Sequence, residues 1–224
     1  MKTKSLSLIM TFLVMVFECY NSEILVISNK VGNIDDYTFE NWKDRGSTYM
    51  TLLGKGKFSC GWNNINNCVF RIGKRWDSTK LWYEFGNFSV KYKVDYQPIG
   101  NSYLSVYGWT RDPLIEFYVI ESWGVWRPPG KEPIGNFDID GDTYDIYIDH
   151  RINQPSIDGV TTFKQFWSVR RTKRTEGTVS VFKHFEEWGR REMYLGKMHE
   201  VSLAVEGYQS NGKATVLENI ITVG

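Results

Sequence analysis

The chain has 224 residues, enough for one domain with a sizeable core, and sets 27 Lys+Arg against 26 Asp+Glu. So even a balance offers no field to draw nucleic acid or an anionic membrane surface. Aromatic residues are abundant, with 13 Phe, 13 Tyr and 9 Trp, and rings that combine an apolar face with a polar edge suit the faces of sugars.

Lys2 and Lys4 precede an apolar run over residues 6–17 that is interrupted only by Ser7 and Thr11. That is the pattern of a secretory signal, and the run is well short of the roughly 20 residues that cross a bilayer as a helix. The sequence therefore reads as a signal over residues 1–22 and a single domain over residues 23–224. The mature protein is expected to be secreted and extracellular, with no membrane association. Residues 23–34 read as a loose or strand-like lead-in. Removing the signal leaves Cys60 and Cys68. A turn at Asn63-Asn64-Ile65 can fold them opposite each other in a hairpin, with Phe58 opposite Phe70. The two sulfurs can then form a disulfide or remain as buried thiols.

Over residues 88–96 the residues Phe88, Val90, Tyr92, Val94 and Tyr96 alternate with Ser89, Lys91, Lys93 and Asp95, the signature of a half-buried antiparallel strand. Similar segments run over residues 102–110, 114–123, 142–151, 161–170, 200–208 and 214–223, most of them separated by Gly, Pro, Asn or Asp. Only Val181, Phe185 and Trp188 show helical spacing, with Gly189 ending the run. The expected fold is all-β, a β-jelly roll sandwich of two curved antiparallel sheets with a single α-helix. No repeat or linker separates a second domain.

Two strands carry a carboxylate opposite an apolar face. Ile115, Phe117 and Val119 share one face and Glu116 and Tyr118 the other; Val201, Leu203 and Val205 share one face and Ser202, Ala204, Glu206 and Tyr208 the other. Likewise Leu104 and Val106 point inward while Tyr103, Tyr107 and Trp109 line the opposite side. Cleaving an acetal between sugars requires one carboxylate at the anomeric carbon and one carboxylic acid for the departing oxygen. A shared, partly desolvated groove separates the two proton affinities. Spacing alone does not bring Glu116 and Glu206 together, and solvated glutamates on a sheet face are the plain alternative.

Four segments carry a resemblance. Tyr107-Gly108-Trp109-Thr110-Arg111, residues 113–124 from Pro113 to Gly124, Pro155-Ser156-Ile157-Asp158-Gly159 and Glu206-Gly207-Tyr208-Gln209-Ser210 resemble, in order and spacing, the signature segments of glycoside hydrolase family 11, the endo-1,4-β-xylanases. The likeness extends over residues 42–216 and implies a β-jelly roll with one helix. It implies retaining hydrolysis of internal β-1,4 linkages in xylan and xylo-oligosaccharides, with Glu116 as nucleophile, Glu206 as acid/base and no cofactor. By the same resemblance Tyr107, Trp109, Tyr118 and Gln165 surround the sugar beside the nucleophile, and Trp42 stacks on a ring. Arg151 binds substrate and favours an ionised nucleophile. Asn67 stands beside the acid/base and implies a near-neutral optimum, and Pro155 belongs to the tip of a mobile thumb loop. A monomer with an open cleft is expected.

Competing readings are a non-catalytic carbohydrate-binding jelly roll, which needs the aromatics but not the glutamates, and a β-glucan-cleaving hydrolase. Asp138, Asp140 and Asp142 start like a calcium loop, but Thr143 and Asp149 replace its glycine and glutamate. His150, His184 and His199 lack ligand spacing, so no metal site is expected. Arg170, Arg171, Lys173 and Arg174 read as a solvated strand end. Glu121 falls on the face opposite Glu116.

Overall fold

A computed structural model describes residues 23–27 and 29–224; the expected signal over residues 1–22 lies outside the described residues. The strands, in chain order, are β1 (Ile24–Val26), β2 (Lys30–Ile34), β3 (Tyr37–Lys43), β4 (Ser47–Gly54), β5 (Lys57–Asn63) and β6 (Asn67–Arg75). They continue with β7 (Phe88–Arg111), β8 (Ile115–Trp123), β9 (Gly135–Ile139), β10 (Asp142–Ser156), β11 (Gly159–Arg170), β12 (Glu176–Val179) and β13 (Lys197–Val223). One α-helix, α1 (Val181–Gly189), separates β12 from β13.

The segments expected at 88–96 and 102–110 are two halves of β7, and those at 200–208 and 214–223 are two halves of β13. The glycine and polar residues between them bend the strands instead of ending them. Gly100 has φ of 100° and Gln209 has φ of 46°, and the β7–β13 register shifts between Tyr208 and Asn211. A residue added on one strand increases local twist while the ladder continues on both sides.

This bent ribbon belongs to two layers. One half pairs with β12 on one side and with β5, β4 and β1 on the other. The other half pairs with β8, β11, β10 and β9 on one side and with β6, β3 and β2 on the other. All strand pairs are antiparallel except β8–β11, because the β9–β10 excursion returns the chain beside β8 in its original direction. The fold is the expected jelly roll, with its two layers continuous through β7 and β13.

Alternation decides what each layer buries. Phe58, Phe70, Tyr92, Leu104, Val106, Phe117, Leu203 and Val205 meet in one core. The helix has the expected spacing and lays Val181, Phe185 and Trp188 on that core, with the Phe185 ring centroid 5.0 Å from Phe117.

Two local expectations are corrected. Strands β5 and β6 do not form a hairpin with each other, because each aligns with a different half of β13, placing Cys60 opposite Ala214 and Cys68 opposite Gly207. Both cysteines are fully buried free thiols, and burial pushes both thiol pKa values up. Nor are Arg170 and Arg174 a solvated strand end. Arg170 Nε lies 3.2 Å from Asp142, and Arg174 Nε donates to Glu121 at 2.6 Å. Glu121 is completely buried, on the side away from Glu116, and also accepts from the hydroxyls of Tyr92 (2.5 Å) and Tyr144.

Removing one partner of a buried ion pair leaves an uncompensated charge. Arg174→Met is expected to lower the unfolding free energy by about 3–5 kcal/mol in urea denaturation, and pairing it with Glu121→Leu should restore most of that loss. A single variant as stable as the parent would refute this role for the pair.

Candidate active site

The face of the β6–β13–β7–β8–β11–β10 layer opposite the core is also apolar. Tyr103, Tyr107, Trp109, Tyr118, Tyr147, Phe163 and Trp167 form a second buried cluster there. Strand periodicity builds it, since alternate residues of a strand share a face. Cross-strand register then orders the face into rows. One row runs from Trp42 through Val69, Glu206 and Tyr103 to Trp123. Another runs from Arg75 through Glu200, Trp109 and Glu116 to Gln165. The two glutamates thus stand on different strands and in different rows of one curved face.

The Tyr118 hydroxyl joins them, lying 3.1 Å from Glu116 Oε1 and 3.3 Å from Glu206 Oε2. The nearer carboxyl oxygens can therefore be no farther apart than the two hydrogen bonds that meet at this hydroxyl. Tyr118 itself is fixed by flat stacking on Trp167, with centroids 4.0 Å apart and planes at 6°.

The surroundings of the two carboxyls differ. Glu116 is buried and accepts from the Tyr107 hydroxyl at 2.7 Å, Gln165 Nε2 at 2.5 Å and the Tyr118 hydroxyl. Trp109 Nε1 donates to the Tyr107 oxygen at 2.5 Å, leaving the tyrosine proton directed at Glu116. Burial raises the Glu116 pKa, while these three donors, followed by the Arg71 charge, act to lower it. Among the described residues the Glu206 carboxyl has one hydrogen-bond partner, Tyr118, and burial reinforced by the Glu116 charge pushes its pKa up to about 8. Tyr118 has one proton, and the shorter contact takes it to Glu116. The 3.3 Å contact is then satisfied when Glu206 keeps its own proton and donates to the tyrosine oxygen. Two coupled carboxyls share the groove, so their titration belongs to the pair, with burial and the Glu116 charge favouring the protonated form of Glu206.

The other expected site residues occupy the same face with different degrees of closeness. Gln165 is opposite Glu116 in register. Trp42, partly exposed, stands two strands from Glu206 in its row. Asn67 pairs with Tyr208, one diagonal step from Glu206, and its buried Oδ1 has no partner among the described residues. Pro155 is exposed near the tip of the β10–β11 hairpin. Ile157 of that tip rests on the aromatic cluster, and Asp158 is tied to Arg111, with Oδ1 2.8 Å from Nε and 2.7 Å from Nη2. Arg151 is exposed, and its charge acts on Glu206; a cation that acts on Glu116 is Arg71, which the sequence pattern did not single out. Phe163, Trp167 and Tyr147 were also missed, although Phe163 and Trp167 share the face of Gln165 by simple alternation.

Two coupled carboxyls in an aromatic groove on a jelly roll define the class as a carbohydrate-active β-sandwich. The model of the glycosyl hydrolases family 11 matches residues 34–217, and the chain belongs to that family. It is 54% identical over 200 residues to endo-1,4-beta-xylanase A of Thermoclostridium stercorarium, covering 89% of this chain and 31% of that protein. It is 53% identical over 199 residues to endo-1,4-beta-xylanase A of Bacillus pumilus, covering 89% of this chain and 87% of that protein. The chain thus spans about a third of one relative and most of the other. The structure of the family 11 xylanase from Neocallimastix patriciarum superposes with a TM-score of 0.84 at 33% identity, covering 91% of this chain and all of that one.

A carboxyl with a raised pKa gives a definite pH signature. Below about 4.5 Glu206 is protonated in both folded and unfolded chains; between that value and about 8 the folded chain holds the extra proton. Stability contributed by the protonated form is lost across this window as pH rises, by at most about 1.4 kcal/mol per pH unit. Glu206→Gln cannot ionise, so thermal melts should show the variant gaining on the parent from pH 4.5 to 8, and parallel profiles would contradict the shift.

Proposed function

We propose that this chain is a secreted, monomeric, retaining endo-1,4-β-xylanase. In this reading Glu116 is the nucleophile and Glu206 the acid/base. The observation that carries it is the single Tyr118 hydroxyl touching both carboxyls, one dressed by three donors and the other left to keep its proton.

The chemistry follows from that asymmetry. Ionised Glu116 attacks the anomeric carbon while Glu206 passes its proton to the glycosidic oxygen, so the leaving chain departs as an alcohol and a glycosyl-enzyme ester forms. Glu206, now a carboxylate, takes a proton from water as the water attacks the same carbon, which releases Glu116 and regenerates the acid. Two inversions give net retention. Trp42 offers a stacking surface for a sugar ring beyond Glu206. Tyr107, Tyr118 and Gln165 hold the Glu116 oxygens and meet the ring between the two acids. Arg151 and the Pro155 tip close over the groove, whose open ends admit an internal segment of polymer. Movement of that hairpin away from Arg111 releases product. No nucleic-acid partner and no membrane association of the mature protein enter this reading.

The decisive assay is reducing-sugar release from xylan, carboxymethyl cellulose and mixed β-glucan. The parent should cut xylan, and Glu116→Gln and Glu206→Gln should each lose several orders of magnitude in kcat. Preference for β-glucan would transfer the mechanism to another substrate, and binding of xylan without cleavage would leave only a carbohydrate-binding module. Activity should decline above about pH 8 as Glu206 loses the proton it must donate.

A further inference from the structure

A group of four charges, of which Arg71 and Glu200 are buried and Glu40 and Arg75 partly exposed, lies in the groove floor beside the Tyr107–Glu116 pair. Arg71 of β6 is 7% exposed. Its Nη2 is 2.6 Å from Glu40 Oε2 and its Nε is 3.1 Å from Glu200 Oε1. Arg75 reaches the same two acids, with Nη2 3.0 Å from Glu40 and Nε 2.9 Å from Glu200. Ser202 Oγ donates to Glu200 at 2.6 Å. Taking such ions out of water is expensive, and well-packed apolar residues of similar volume often serve stability as well. The group therefore calls for an explanation other than stability.

The position of Arg71 supplies one. Its guanidinium carbon lies 4.9 Å from the centroid of the Tyr107 ring, and the hydroxyl of that ring donates to Glu116 at 2.7 Å. We propose that Arg71 is a positioning residue for hydrolysis: clamped by Glu40 and Glu200, it holds the Tyr107 ring against Glu116 and supplies the buried positive charge that keeps Glu116 ionised. A cation near a carboxylate favours its charged form, most strongly where water is excluded. Glu116 is otherwise faced by Tyr107 from β7, Tyr118 from β8, Gln165 from β11 and Glu206 from β13. None of these is a cation. Arg71 is faced by Glu40 from β3, Glu200 from β13 and the Tyr107 ring from β7, with Arg75 beside it on its own strand. Its charge is among the influences that pull the Glu116 pKa down against burial.

The inference rests on Glu116 being the nucleophile, but its test is independent of turnover. The titration of Glu116 is followed by NMR of protein carrying 13C at the glutamate carboxyls, with the resonance assigned by its loss in Glu116→Gln. Arg71→Met should raise the midpoint of that titration by about one pH unit, and Arg71→Lys should keep it near the parent value. Glu40→Gln releases Arg71 from one counter-charge and should move the midpoint down. Arg75→Met, which lacks the contact with Tyr107, should shift it less than Arg71→Met. In xylan hydrolysis Arg71→Met should lower kcat about ten-fold with KM changed less than three-fold, and its acid limb should follow the NMR midpoint. If Arg71→Met does not fold, the sign of the Glu40→Gln shift decides the matter. An unchanged or upward midpoint in Glu40→Gln, or equal shifts in Arg71→Met and Arg75→Met, overturns the proposal. A parent that fails to cut xylan overturns the hydrolase reading and leaves the titration to judge Arg71.

Discussion

Pairing of β7 with β13 along their full length is the constraint on which the remaining architecture depends. Strands of 24 and 27 residues are too long to lie flat in a twisted sheet, and each bends near its middle, at Gly100 and at Gln209. The bend makes one ribbon serve two layers. Every other strand then adds to an edge that the ribbon has already oriented, and the concave side of the longer layer becomes the groove. Because the bend lies within hydrogen-bonded strands and not in a loop, side chains in different rows can be directed at a common point with little freedom to drift. That rigidity is what a site needs if its groups are to be held within tenths of an ångström.

Both faces of the longer layer are buried, and they treat charge in different ways. On the core side, Glu121 is neutralised by Arg174 and surrounded by tyrosine hydroxyls; it can be satisfied completely because no ligand needs the space. On the groove side, the Glu206 carboxyl has a single hydrogen-bond partner among the described residues. Incomplete satisfaction raises the proton affinity of a carboxyl and leaves it available to a substrate. The same residue type, on the same sheet, is thus structural or chemical according to the number of donors that meet it.

The aromatic residues join these two functions. Tyr118 links the glutamates, Trp167 fixes Tyr118, and Trp109 orients Tyr107. Each ring is held by stacking or by an indole donor, so the hydroxyl at its end has few alternative positions. Hydroxyls positioned by rings lose little entropy when they meet a ligand, which favours them over flexible side chains in the groove proposed to accept a polymer. The Arg71 group continues the same design one strand further, with ion pairs taking the place of rings as the support.

Period-two alternation told a great deal about this protein without any coordinates. It separated Glu116 from Phe117 and Glu206 from Val205 and placed Glu121 on the core side, while helical spacing set the helix at Val181, Phe185 and Trp188, because which face a residue occupies is a local property of the backbone. Four motifs in order added the family. What local pattern cannot carry is pairing at long range. It split β7 and β13, since a bend and a break have the same composition, and it drew Cys60 and Cys68 into a hairpin when β13 was the true partner of both strands. It read Arg170 and Arg174 as solvated and passed over Arg71, because whether an arginine is exposed or clamped depends on acids 28 to 129 positions away, Asp142, Glu121, Glu40 and Glu200 among them. Sequence determined which side each residue faces; only the tertiary fold decided what it meets there, since burial and ion pairing are properties of strands brought together from distant parts of the chain.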